Sequence, residues 1–321
     1  MAVYTDLTDE ELSDLMKRYD IGAPLTIKGI AEGVENSNFF LETEAGRFIL
    51  TIFEKRVNAA DLPFFMGVLE AVANAGLPAA KPIRGSNGSM IQQVRGKPCS
   101  IVSFLPGVSA KRPNAAQCRA VGAALAGLHN TLTNHAGQRA NSLGPADWKR
   151  LFSAEIAQAA EALEPNLHAL VDSDLVAIAE NWPKNLPTGI IHADLFPDNV
   201  LFLRNEVSGL IDFYFACTDI LAYDLAVMLN AWCFEPSGRE FDLIKGRSLI
   251  SGYESIRPLS TAETVAIPIL ARGAALRFFL TRLIDWNATP AGALVRPKDP
   301  RDYSARLAFH RNAKTIGDYG G

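Results

Sequence analysis

The segment from Ile190 to Phe213 constrains this chain more than any other. Ile190-Ile191 is an apolar pair, followed by the polar loop His192-Ala193-Asp194-Leu195-Phe196-Pro197-Asp198-Asn199. Val200-Leu201-Phe202 and Leu210-Ile211 are two further apolar runs, and Asp212-Phe213 ends the segment. Short apolar runs bounded by turn residues read as buried strands. The pattern therefore predicts a strand–loop–strand unit with Asp194, Asn199 and Asp212 at the strand ends.

These residue types at this spacing suit phosphoryl transfer. That reaction requires a carboxylate to orient a hydroxyl and accept its proton. It requires hard oxygen ligands to hold Mg2+ against phosphates, on a loop rigid enough to keep both in place. Asp194 is the candidate base, and Asn199 and Asp212 are the candidate metal ligands. His192 reads as a brace for the loop backbone rather than as a proton carrier. Asp224, in Ala222-Tyr223-Asp224-Leu225-Ala226, either caps a helix or ties back to the loop.

The first third of the chain has a different pattern. Thr8-Asp9-Glu10-Glu11 is a capping box ahead of Leu12, Leu15 and Met16. Strand-like runs follow at Leu25–Ile30, Asn38–Glu42 and Arg47–Phe53, then a helix opened by Asp61-Leu62-Pro63. Further strands are expected near Ile83, at Met90–Val94 and at Lys97–Phe104. Beyond Asn114 the periodicity is mostly helical, with Cys118, Val121, Leu125 and Leu128 on one face. The expected fold is α+β in two lobes. Residues 1–104 would form a small antiparallel-sheet nucleotide-binding lobe, and 105–321 a larger, mainly helical catalytic and substrate-binding lobe.

Composition narrows the partners. The formal net charge of the 321 residues is -4 with no basic run, which speaks against nucleic acid or an anionic membrane. The four cysteines form no C-x-x-C and read as reduced, buried thiols. Met1–Asp6 carries neither a basic nor an apolar run, and Arg272 and Arg277 interrupt the apolar stretch Ile267–Leu280. The expectation is a cytoplasmic protein. No G-x-x-x-x-G-K-[ST] and no G-x-G-x-x-G is present. The turn Gly33-Val34-Glu35-Asn36-Ser37-Asn38 either brings backbone N–H groups to phosphate oxygens or is an ordinary hairpin.

The runs Ile191–Leu201 and Ile211–Phe213, the Gly33–Asn38 turn and the Leu105-Pro106-Gly107 break resemble the aminoglycoside and choline phosphotransferase-like family over nearly the whole chain. The opening Met1–Thr5, the run Phe48–Arg56 and the run Arg272–Leu280 resemble its bacterial homoserine kinase branch most. The resemblance implies a bilobal protein-kinase-like fold, ATP as co-substrate with Mg2+, and L-homoserine as the small-molecule acceptor. It also implies contacts to ATP from Gly33, Asn36, Ser37 and Asn38, and stacking of adenine near Phe104. Oligomeric state does not follow from it.

Two departures stand out. The family's third-strand Lys or Arg is replaced by Thr51, and its helix Glu is absent from Pro63-Phe64-Phe65-Met66. Lys55 shares the Thr51 face of an extended strand and either contacts phosphate or is a solvated strand-end lysine. For the acceptor carboxylate, Arg272 falls near the centre of the apolar arc Leu276, Phe279, Leu280, Leu283 and Trp286, while Arg277 points away. Arg272 would hold the substrate carboxylate or pair with a protein carboxylate. Asp219 and Asp285 are candidates for the ammonium, and Arg282 lies at the edge of the arc. Other readings are a kinase for hydroxylysine or choline, and a silent nucleotide-binding protein on the same fold.

Overall fold

The computed structural model describes residues 5–30, 36–54, 57–290 and 297–321. Helix α1 (Asp9–Met16) starts at Thr8, whose side chain accepts from the Glu11 N–H while Glu11 accepts from the Thr8 N–H. Its buried face, Leu12, Leu15 and Met16, covers one side of an antiparallel sheet. The first three strands are β1 (Pro24–Ile30), β2 (Ser37–Thr43) and β3 (Gly46–Ile52). Helix α2 (Leu62–Asn74) follows, with Pro63 in its first turn, then β4 (Gln92–Val94) and β5 (Lys97–Ser103). The sheet order is β1-β2-β3-β5-β4.

Burial along β2 alternates strictly, so Phe39 and Leu41 face α1 while Asn38 and Phe40 stand on the opposite face. The strand expected near Ile83 is reduced to a single bridge, Pro82 to Val102. Proline has no N–H to give a ladder, so pairing cannot propagate there.

The remainder is built from β6 (Val108–Ser109), α3 (Ala115–Leu132), α4 (Pro145–Leu151), α5 (Ala154–Leu163), α6 (Leu167–Asn181) and β7 (Thr188–Ile191). It continues with β8 (Val200–Leu203), β9 (Glu206–Leu210), β10 (Cys217–Ile220), α7 (Leu221–Trp232), α8 (Leu243–Glu254), α9 (Thr261–Ala288) and α10 (Arg301–Asn312). Strands β6, β8 and β9 form one antiparallel ribbon, and β7 pairs with β10. The predicted strand–loop–strand unit is thus present, clamped between two small sheets. The four cysteines are free and buried.

Helix α9 departs from the one-sided arc read in the sequence. Ala271 and every residue from Gly273 to Leu280 are buried, Arg277 included, and Trp286 is exposed. A helix enclosed on all sides has no single core face, so angular position does not tell which arginine points inward. By length and composition α9 could cross a membrane, but 72% of its apolar window is buried within the protein.

Helices α3 and α8 approach at two glycines. A Cβ on Gly122 would lie 2.2 Å from the Leu249 carbonyl oxygen, and one on Gly252 2.0 Å from that of Arg119. Backbone cannot yield as a side-chain tip can, so only glycine allows this approach. Gly252→Ala is expected to cost about 1–3 kcal/mol or more and to lower Tm by several degrees. Gly127→Ala, also on α3, would meet only the Leu77 Cδ2 at 3.4 Å and should keep or raise Tm. Equal melting of the two variants would contradict this account of the crossing.

Candidate active site

The loop after β7 is fixed by one buried carboxylate. Asp224, in the first turn of α7, accepts from the His192 N–H at 2.6 Å and the Ala193 N–H at 2.9 Å. It also meets the His129 Nε2 at 3.2 Å, and His129 Nδ1 lies 2.8 Å from the Tyr253 hydroxyl. Asp224 and His192 are fully buried. Burial alone would push the Asp224 carboxyl up, but the hydrogen bond and charge of His129, with the His192 N–H, hold it below the ordinary carboxylate value. Asp224 therefore ties back to the loop.

His192 is held as a neutral brace. Burial lowers its pKa, its Nε2–H donates to the Ile211 carbonyl at 3.0 Å, and its Nδ1 accepts from the Asp194 N–H at 3.3 Å. Ala193 sits at φ +63, in the left-handed region, and its carbonyl accepts from Arg277 Nη1 at 2.5 Å. Those bonds at both ends of Ala193 hold a backbone conformation that a non-glycine residue rarely adopts.

Asp194 follows directly and is half-buried. Asn199 donates through Nδ2 to the Asp194 carbonyl at 2.8 Å and to its Oδ2 at 3.3 Å. With the amide nitrogen committed, Oδ1 is the Asn199 atom left to face a cation. Asp212 lies just beyond β9 at φ +63, close enough to disfavour ionisation of Asp194. Burial, with help from Asp212 and Asp198, pushes the Asp194 carboxyl up to about 8 against the opposing pull of Arg277 and Lys298. The structure thus brings Asp194, Asn199 and Asp212 together as the spacing anticipates. Asn199 Oδ1 and the Asp212 carboxylate are hard oxygen donors of the kind that hold Mg2+ when phosphate oxygens complete the shell.

Phe53, just past β3, packs edge-on against Tyr214 at 5.2 Å, which brings the sheet to the Asp212 turn. Thr51 Oγ1 donates to Asn38 Oδ1 at 2.8 Å, so an uncharged pair occupies the third-strand position. Asn36 Oδ1 accepts from the Glu54 N–H at 3.3 Å, and the Ser37 hydroxyl donates to the Glu54 carboxylate at 2.8 Å. These bonds tie Asn36 and Ser37 to Glu54, just past β3. Gly33 and Lys55 lie outside the described residues. Phe104 packs edge-on against Phe40 at 5.6 Å, under the Arg47 guanidinium.

The sequence gives no sign of one ion pair here: Lys97 Nζ on the Glu54 carboxylate, with Thr5 Oγ1 at 2.7 Å. Burial would raise the Glu54 pKa, but bonds from Lys97, Thr5 and Ser37 leave it lowered. Its partners are 43 residues apart in the chain, beyond any local pattern.

The acceptor candidates separate. Arg272 donates to Asp174 at 2.8 and 2.5 Å, and Arg311 also bonds Asp174, at 3.1 and 2.6 Å. The expectation that Arg272 holds a substrate carboxylate is corrected in favour of its alternative, because the fully buried Asp174 takes that cation. Asp219 is likewise engaged, accepting from Asn141 at 2.6 Å and from the Ile220 N–H at 2.7 Å. Arg282 lines a cavity of about 400 Å3 with Phe196, Pro197 and Asp198 of the Asp194 loop. Arg277, read from the sequence as pointing away, proves to be the arginine that supports this loop.

Comparisons with known proteins agree with this geometry. The sequence matches the phosphotransferase enzyme family over residues 26–259. The homoserine kinase of Phenylobacterium zucineum is 55% identical over 320 residues, spanning 100% of this chain and 98% of that protein. That of Caulobacter vibrioides is 57% identical over 317 residues, spanning 98% and 99%. Among solved structures, an amicoumacin kinase bound to AMP-PNP and Ca2+ superposes with a TM-score of 0.69 at 18% identity, over 95% of this chain and 92% of that one. An aminoglycoside phosphotransferase from Alicyclobacillus acidocaldarius gives 0.69 at 15% identity, over 98% and 96%. The fold is that of the protein-kinase-like phosphotransferases.

The raised Asp194 pKa has a signed consequence for stability. An unfolded aspartate ionises near pH 4. The folded protein holds that proton until about pH 8, so ionisation between these values penalises the folded state. In metal-free, nucleotide-free protein, Asp194→Asn should raise Tm at pH 8, and the gain should vanish as the pH falls to about 4. A gain that does not change with pH would show that Asp194 ionises in the folded state as it does in the unfolded chain.

Proposed function

The chain belongs to the phosphotransferase enzyme family, and we propose that it transfers the γ-phosphoryl group of ATP to the side-chain hydroxyl of L-homoserine. The product is O-phospho-L-homoserine, an intermediate on the route to threonine, and we place the reaction in the cytoplasm. The observation that carries the chemistry is the Asp194–Asn199 pair beside Asp212 on a loop anchored by Asp224 and His192. The observation that carries the acceptor is identity of 55% and 57% to homoserine kinases over nearly the full chain.

Asp194 orients the acceptor hydroxyl and takes its proton as the new O–P bond forms. The bond from the γ-phosphorus to the bridging oxygen breaks in the same displacement, and ADP leaves with the electron pair. Mg2+, held through Asn199 Oδ1 and Asp212, would neutralise the triphosphate charge. Asn199 also holds the Asp194 carboxylate in register, so base and metal ligand share one geometry. The nucleotide lies across the sheet face carrying Asn38, Phe40, Thr51 and Phe104, with adenine against the aromatic rings. Backbone groups of Asn36, Ser37 and Asn38 approach the phosphates.

The test is ADP release with Mg-ATP across L-homoserine, L-serine, hydroxylysine, choline, methylthioribose and an aminoglycoside. L-Homoserine should give the highest kcat/KM, and Asp194→Asn should lower kcat by about 100- to 10,000-fold. Preference for another acceptor would keep the kinase chemistry and remove homoserine. ATP binding without turnover of any acceptor would leave a silent nucleotide-binding protein.

A further inference from the structure

The cavity beside the Asp194 loop contains a cation that no anion among the described residues neutralises. It is lined by Phe196, Pro197 and Asp198, and Arg306 of α10 borders it. Arg306 is 9% exposed, and its Nε is buried with no hydrogen-bond partner. Among the described residues, no carboxylate pairs with it. The other charges around the cavity are engaged: Arg282 with Asp302, Lys298 with Asp198, and Asp299 with Arg301, while Lys111 lies exposed at the rim.

A buried guanidinium without an anion is costly. Here two aromatic rings partly offset that cost, with the Arg306 Cζ 4.3 Å from the Tyr303 ring centroid and 5.3 Å from that of Phe234. Rings satisfy the faces of a guanidinium but give its N–H groups no acceptor. The chemistry that completes such a site is a carboxylate bound through two parallel N–H···O bonds. The cavity volume, about 400 Å3, is ample for a small amino acid. Arg277 also has an unpartnered Nε, but its Nη1 is committed to the Ala193 carbonyl and it does not line this cavity, and the half-buried Arg272 is taken by Asp174.

We infer that Arg306 anchors the α-carboxylate of the acceptor and makes this cavity selective for an amino acid over an amino alcohol. The assignment rests on the acceptor reading proposed above. Removing the carboxylate from the substrate leaves the arginine buried and unpaired, so the site discriminates by rejecting the analogue as well as by binding the amino acid.

The deciding experiment compares kcat/KM for L-homoserine with that for 3-aminopropan-1-ol, which is homoserine without its carboxylate. The wild-type enzyme should favour homoserine, and Arg306→Met should reduce the ratio of the two values by about 10- to 100-fold. Arg306→Lys keeps the charge and the packed stem, and guards against a folding defect. It should raise the homoserine KM severalfold, with kcat affected much less, because a point charge replaces a fork. A ratio within twofold of wild type in the folded variants, or equal loss of both acceptors, overturns the assignment. A wild-type enzyme that turns over other acceptors and ignores L-homoserine overturns the acceptor reading, and the role of Arg306 with it.

Discussion

Everything at this site depends on the Asp224 carboxylate. It is fully buried, and three groups from distant parts of the chain converge on it: the His192 and Ala193 N–H groups and the imidazole of His129. A buried charge is tolerable only when its lone pairs are satisfied, and here they are. The consequence is mechanical. The loop backbone cannot rotate without breaking a charge-assisted bond, so Asp194 is held rigidly. The close approach of α3 and α8 at Gly122 and Gly252 extends this support, because it sets Tyr253 against His129.

Electrostatics around Asp194 follow from the same architecture. Burial and the neighbouring Asp212 raise the Asp194 pKa, and Arg277 opposes that shift while bonding the Ala193 carbonyl. Arginines on α9 and α10 thus have three different fates. Arg277 supports the loop, Arg272 and Arg311 neutralise Asp174, and Arg306 borders the cavity beside the Asp194 loop, between two rings. A shared residue type hides these differences, since each role is set by what the neighbouring helices supply.

What the sequence revealed was local. The capping box at Thr8, the helix opening at Leu62-Pro63 and the spacing of Asp194, Asn199 and Asp212 are short-range patterns, and the structure reproduces them. What it concealed was tertiary. The Arg272–Asp174 pair spans 98 residues and the Lys97–Glu54 pair spans 43, so no periodicity could announce either. The error over Arg277 has the same origin: an arc drawn on α9 assumes one core face, and this helix is enclosed. Asp224 was legible as a residue with two alternatives, and only the folded contacts chose between them.

The central claim is a phosphoryl transfer from ATP to the hydroxyl of L-homoserine, with Asp194 as base. The most direct measurement is phosphorus NMR of the reaction of purified protein with Mg-ATP and L-homoserine. The account predicts ADP and, in equal amount, a phosphomonoester whose phosphorus couples to the C4 methylene protons of homoserine. ADP accompanied only by inorganic phosphate, or a phosphorus signal coupled elsewhere on the amino acid, would contradict it.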